Sequence, residues 1–243
     1  MAQPPPPADS QPAADEHQHR SEQLRHLLVL VLAVNSGATD AIGFVGLGGV
    51  FTSVMTGNMV LLGVSISQWD GTLALHTLSA IACFALGCGI GARIAHLPRD
   101  EDPVWPHAVT RALAVELGVF AIFLVGWLAT GGDPGTAMQL LLLVVNAIGL
   151  GIQSSAIQRF GVSGLSTTYL TGTLTSVVIR VMTGQRLRHV RSSLEILLAL
   201  VVGAVAGGWL TLHLWAAAPV LQVVCVGLTL VVAARAFRAP ASS

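Results

Sequence analysis

Lysine is missing from this chain, tyrosine occurs once, and charged residues make up 10% of its 243 positions. Soluble domains carry about 25%, so a water-facing globular surface is excluded. The 12 basic residues, all arginine, are matched by 12 acidic ones, and a net charge of zero gives no case for binding nucleic acid. Cys83, Cys88 and Cys225 lie in apolar runs with no His or Cys at metal-ligand spacing. They read as small packed hydrophobes, forming neither a metal site nor a structural disulfide. There is no P-loop, no GxSxG elbow, no HExxH and no dinucleotide fingerprint. Neither enzymatic activity of a known type nor a cofactor is expected.

What is abundant is apolar length. Hydrophobic residues reach 53% and mean hydropathy is +0.73. Eight apolar stretches follow one another, at about 24–44, 46–68, 71–96, 107–130, 136–158, 162–182, 190–215 and 218–238. Most suit a crossing of roughly 20 residues. A Pro/Gln/Ala-rich head, residues 1–22, has few apolar side chains and lacks the core of a signal peptide, so disorder is expected there and in the tail 239–243. The Gly131-Gly132-Asp133-Pro134-Gly135 turn divides a first unit, 23–130, from a second, 131–238.

Arginine placement sets the topology, because cytoplasmic loops collect positive charge. With eight crossings, Arg93, Arg99, Arg111 and Arg159 fall outside. If the second and sixth stretches instead enter and leave by one face, all 12 arginines fall inside and the outer turns keep Asp70 and Asp133. The expected fold is therefore all-α, with six spanning helices and two broken, re-entrant segments. Both termini are expected in the cytoplasm. An odd number of crossings per unit makes the units inverted repeats. The two re-entrant stretches carry related breaks, Thr56-Gly57-Asn58 and Thr171-Gly172-Thr173, 115 positions apart. Gly87-x-x-x-Gly91 is matched by Gly203-x-x-x-Gly207, and Asn35 and Asp40 have rough counterparts in Asn146 and Gln153. Inverted repeats with interrupted helices near the midplane are a transporter architecture.

The run Thr39-Asp40, Gly49-Val50-Phe51, Met55-Thr56-Gly57-Asn58 and Gly63, followed by Gly149-x-x-x-Gln153 and Thr171-Gly172-Thr173, resembles the YoaK-like family of bacterial multipass membrane proteins. The likeness covers about residues 24–238. It implies a protein of a bacterial inner membrane and singles out these motif residues, and it supplies no substrate. Ser154 and Ser155 depart from the Asn that often follows the Gln in that family.

Broken helices must satisfy their freed backbone groups against protein or a water-filled cavity. Thr56 and Asn58 are expected to cap the following half-helix, with Gly57 permitting the turn and the positive helix end pointing inward. Thr171, Gly172 and Thr173 do the same from the other face, so that the two breaks meet near mid-depth. Asp40, an intramembrane carboxylate, either takes protons, holds a cation or locks the break. Glu116, about 12 Å deep at 1.5 Å per residue, is a proton relay or pairs across helices. Asn35, Asn146 and Gln153 suit interhelical hydrogen bonds, and Glu195 a surface pair with Arg191. His76 and His213 read as interfacial, not as a metal pair. Trp69, Trp105, Trp127 and Trp215 read as interface anchors, and Trp209 as packed. The glycine pairs Gly87/Gly91 and Gly203/Gly207 allow close packing within one subunit, with a homodimer contact as the alternative. The leading expectation is a transporter or channel for a small solute, its path formed by Asp40, the two TG breaks, Glu116 and Gln153. A non-transporting scaffold or accessory subunit is the rival. A membrane enzyme using Asp40 and Glu116 as acid and base is a third reading.

Overall fold

The computed structural model describes residues 11–96, 98, 102–160, 170–183 and 191–237, and every regular element among them is helical. The helices are α1 (Gln11–Gly46), α2 (Met55–Ser67), α3 (Gly71–Ala95), α4 (His107–Ala129), α5 (Thr136–Gln158), α6 (Leu170–Met182), α7 (Arg191–His213) and α8 (Ala218–Ala236), with a single 3-10 turn, Trp215–Ala217, before α8. Six of these are long and apolar enough to cross a bilayer. The other two, α2 and α6, have 13 residues each. At 1.5 Å per residue that is about 20 Å, short of the roughly 30 Å hydrocarbon core. The chain is thus an all-α membrane protein with six spanning helices and two short ones.

One boundary differs from expectation. Helix α1 begins at Gln11, inside the head expected to be disordered. Pro12 sits in the first turn, where a missing N–H costs nothing. The Ala, Glu, Gln and Arg residues that follow are good helix formers, which outweighs their lack of apolar side chains. Residues 1–10 and the tail 239–243 lie outside the described residues.

Contacts at the helix ends sort the bundle into two faces. At one end His26 of α1 meets Glu195 of α7 at 2.7 Å, and Arg25 stacks on Phe160 just past α5. There too Trp105, ahead of α4, packs against Phe160 and Phe237, while Arg159 Nη1 donates to the Ala95 carbonyl at the end of α3. At the other end Gly46 of α1 abuts Trp127 of α4, whose indole Nε1 donates to the Trp215 carbonyl at 2.8 Å. The six long helices therefore alternate in direction along the chain. The segment 47–70 starts and ends at the second face, while Phe160 and Arg191, on either side of α6, both lie at the first. Arg25, Arg93, Arg111, Arg159, Arg191 and Arg235 all belong to the first face. Asp70 and Asp133 belong to the second.

Helices α1 and α5 form the interior, with 67% of each apolar window buried, against 22% for α3 and 17% for α7. Helix α7 lies along α1 and α3 along α5, while α4 and α8 close the other sides and touch each other. The two long pairings are glycine faces. A Cβ on Gly203 or Gly207 would run into the Val34 and Ala38 backbone of α1, and one on Gly37 into the Leu200 backbone of α7. Likewise, a Cβ on Gly87 or Gly91 would strike the Ile148 and Ile152 backbone of α5, and one on Gly151 the Phe84 backbone of α3. Small residues here let main chains touch, the usual source of helix association in lipid. Leu78, Leu86, Val202, Val205 and Leu212 point outward from α3 and α7, as lipid-facing side chains do.

Because backbone cannot yield as a side-chain tip does, Gly87→Leu and Gly203→Leu should each lower the melting temperature sharply or prevent folding. Overpacking of this kind costs about 1–3 kcal/mol or more. Gly89→Leu, facing open space two residues from Gly87, should melt within a few degrees of the parent in the same detergent.

Candidate functional site

The first polar cluster fastens a loop. Residues Leu47–Val54 are non-helical, and Gly48 (φ 91°) and Gly49 (φ 76°) adopt the left-handed backbone that turns the chain. Asp40, 6% exposed, accepts four hydrogen bonds from that loop. One oxygen takes Thr52 N at 2.8 Å, Thr52 Oγ1 at 3.0 Å and Ser53 N at 2.7 Å. The other takes Ser53 Oγ at 2.5 Å. Fully buried Asn58 grips the same loop from its far side, its Oδ1 accepting from Phe51 N at 3.0 Å and its Nδ2 donating to Phe51 O at 2.7 Å. A carboxylate and an amide thus supply partners that lipid would not.

This geometry moves the break. The interruption lies in 47–54, and Thr56, Gly57 and Asn58 form the first turn of α2, whose N-cap Val54 makes no side-chain cap bond. Asn58 reaches back to Phe51 instead of capping. Thr171, Gly172 and Thr173 fall in the first turn of α6, with Thr173 buried and Thr171 exposed. The rest of that second motif, 166–169, lies outside the described residues. Helix α2 packs on α3 and α6 on α7, and no packed face joins the two short helices. The expected meeting of two breaks at mid-depth is therefore not the arrangement of the described residues.

The second cluster is central, and it is where Glu116 and Gln153 sit. Asn35, Ser36 and Thr39 of α1, Glu116 of α4, Asn146 and Gln153 of α5, and Gln222 of α8 are all 0–2% exposed. Asn35 Nδ2 donates to Gln153 Oε1 at 2.9 Å and, more weakly, to Glu116 Oε1 at 3.4 Å. Gln153 Nε2 donates to Ser36 Oγ at 2.8 Å and to the Leu32 carbonyl at 3.1 Å. Gln222 Nε2 bridges Thr39 Oγ1 at 2.8 Å and Asn146 Oδ1 at 3.2 Å. Four buried atoms of this group have no partner among the described residues: Asn35 Oδ1, Glu116 Oε2, Asn146 Nδ2 and Gln222 Oε1. Glu116 lies nine residues into α4, about 14 Å along its axis. Asp40 and Glu116 share no hydrogen-bond partner, so the two membrane acids belong to different clusters.

Other candidates stand apart. Glu195 bridges Arg191 and His26, both at 2.7 Å, tying α7 to α1 at the arginine-rich end. Trp209, expected to pack, is 52% exposed and stacks on His213. Trp105 and Trp127, expected as interface anchors, are 3% and 1% exposed and serve as end plugs of the bundle. Sequence reasoning passed over Gln222, the sole amide in the apolar run 218–238, which was signal enough to include it. It also missed Gly37 and Gly151, the faces opposite the glycine pairs.

Replacing Asp40 strips several buried donors at once, each worth about 1–3 kcal/mol when left unpaired. Asp40→Ala should lower stability by about 3 kcal/mol and open residues 47–54 to limited proteolysis. Asp40→Asn, which keeps one accepting oxygen, should lose less in the same assays.

Comparison with known proteins agrees with this architecture. The chain is similar to UPF0700 transmembrane protein YoaK of Bacillus subtilis (strain 168), 35% identical over 154 residues, which is 63% of this chain and 66% of that relative. No solved structure matches. A family model described as a protein of unknown function, DUF1275, matches residues 28–234, a range that reaches all six long helices and contains both polar clusters. The chain belongs to that DUF1275 family of integral membrane proteins.

Proposed function

We propose that this protein carries a small polar solute across a bacterial inner membrane, with the central amide–carboxyl cluster as its site and both termini in the cytoplasm. The observation that carries this reading is the set of four unpartnered atoms on Asn35, Glu116, Asn146 and Gln222, all enclosed between α1, α4, α5 and α8. Buried polar groups are normally paired, and those left unpaired mark a place where water, an ion or a solute belongs. Three acceptors or carboxyl oxygens and one amide donor suit an uncharged, hydrogen-bonding solute, and Glu116 is the group able to hold a proton beside it. Full burial of the cluster corresponds to a closed conformation, in which the solute is reached only after the surrounding helices part.

Inverted repeats support the same reading. Units 23–130 and 131–238 each contribute three long helices, running in opposed order between the two faces of the bundle. The packing follows that relation: α1 lies on α7 as α5 lies on α3, and α4 lies on α5 as α8 lies on α1. Helices α2 and α6 have equal length and carry their Thr-Gly pairs at equal positions. In the register set by the glycine faces, Gly37 corresponds to Gly151, so Gln153 pairs with Thr39, not with Asp40 as the earlier rough matching had it. The cytoplasmic assignment of the arginine-rich face follows the positive-inside tendency.

A non-transporting scaffold is the second reading, favoured by the saturation of Asp40 and Asn58 and by the closure of the centre. The enzyme reading has no support from two acids that sit in separate clusters.

Glu116→Met separates the first two. A buried, half-satisfied carboxyl replaced by an apolar side chain of similar volume is neutral or stabilising. The variant should therefore melt at or above the parent temperature. In proteoliposomes challenged with urea or glycerol gradients, or loaded with a pH-sensitive dye, it should lose solute or proton flux by about tenfold or more, the loss of roughly 1.4 kcal/mol. Parent protein without flux would speak for the scaffold, and a variant with undiminished flux would take Glu116 out of the path.

A further inference from the structure

A cavity of about 350 Å³ opens at the face of the bundle opposite the arginines, between the end of α1, the 47–54 loop and the starts of α3 and α5. Its walls include Phe44, Leu61, Asp70, Leu73, His76 and Gln139. The volume lies within the ~300–1,000 Å³ range of small-molecule sites. Neither polar cluster described above contributes a side chain to it.

His76 is the unusual member. It is 2% exposed, and its Nδ1 lies 2.8 Å from the Thr72 carbonyl oxygen. A carbonyl only accepts, so Nδ1 carries a hydrogen, and in the neutral form of the ring the lone pair is then at Nε2. That Nε2 is buried and has no partner among the described residues. The backbone keeps room beside it. Gly48, with φ 91°, passes so close that a Cβ there would lie 3.2 Å from the imidazole Cδ2. Asp70 caps α3 through one oxygen, which accepts from Leu73 N at 3.0 Å, and its second oxygen makes no hydrogen bond among the described residues. The cavity thus offers an imidazole lone pair, a carboxylate and a Gln139 carbonyl, with no basic side chain in its wall. Phe44, stacked on Phe51 at 5.0 Å, and the two leucines supply an apolar side.

The geometry points to a binding site for a small primary ammonium compound. Its three N–H donors meet the acceptors of His76, Asp70 and Gln139, and its alkyl part lies against Phe44 and Leu73. Ammonium matches this set because it has three donors and no acceptor. The site is independent of transport through the centre and stands or falls by binding alone.

The test is calorimetric titration of the purified full chain in lipid nanodiscs with n-butylammonium chloride, using n-butanol as the uncharged control. Asp70→Asn keeps the helix cap and removes the charge. His76→Phe keeps a ring and removes the lone pair. Melting temperatures check that both variants fold. The expected result is saturable binding of n-butylammonium to the parent, weakened about tenfold or more by each substitution, with n-butanol at least tenfold weaker. Absence of saturable binding to the parent overturns the assignment. So does equal binding of n-butanol, which would make the cavity merely apolar, or full affinity in folded Asp70→Asn or His76→Phe. A His76-dependent response to zinc chloride without one to n-butylammonium would overturn the ligand class as well.

Discussion

Lipid offers a peptide group no hydrogen bond, and this single deficit governs the whole molecule. Wherever the chain leaves helical geometry between the faces of the bundle, the protein must supply donors and acceptors of its own. The 47–54 loop is the plainest case. Two side chains from flanking helices, Asp40 and Asn58, satisfy Phe51, Thr52 and Ser53 between them. Without that pair, the segment between α1 and α2 would have to straighten into helix or leave for water.

The same deficit gives the central cluster its meaning. Amides and hydroxyls on α1, α5 and α8 satisfy one another only in part, and Glu116 adds an oxygen that nothing meets. A core built for stability alone would have closed these bonds or replaced them with Leu and Val. Close main-chain packing is secured elsewhere, along the glycine faces of α1 with α7 and α3 with α5. The centre is therefore free to hold polar groups that packing does not require. The cavity at the face opposite the arginines follows a related logic, since glycine backbone at Gly48 passes close beside a histidine nitrogen.

Much of this was legible from residue order. Apolar run lengths were enough to mark eight stretches, and the one-sided placement of arginine to set six spanning helices apart from two that do not span. Both signals are averaged over many residues and survive local error. Asp40 and Asn58 were visible as polar residues in apolar runs, but their targets were not. Phe51, Thr52 and Ser53 act through backbone groups, which every residue has. The break was placed on Thr56-Gly57-Asn58 because Gly is read as a turn, whereas Gly57 is helical and the turn belongs to Gly48 and Gly49. Trp209 was assigned by depth, and depth in a bilayer does not imply burial in protein. Glu116 and Gln153 were recognised singly. Their convergence depends on how α1, α4 and α5 rotate about their axes, and spacing along one helix does not determine that.

The pairing of α1 with α7 and α3 with α5 has a consequence for how the chain is made. Each tight pair takes one member from either half, so neither half owns a complete interface. When α1 first leaves the ribosome it carries a bare glycine at Gly37 and has no mate. It must wait in the bilayer, alone or sheltered by the insertion machinery, until almost the entire polypeptide has been translated and α7 arrives.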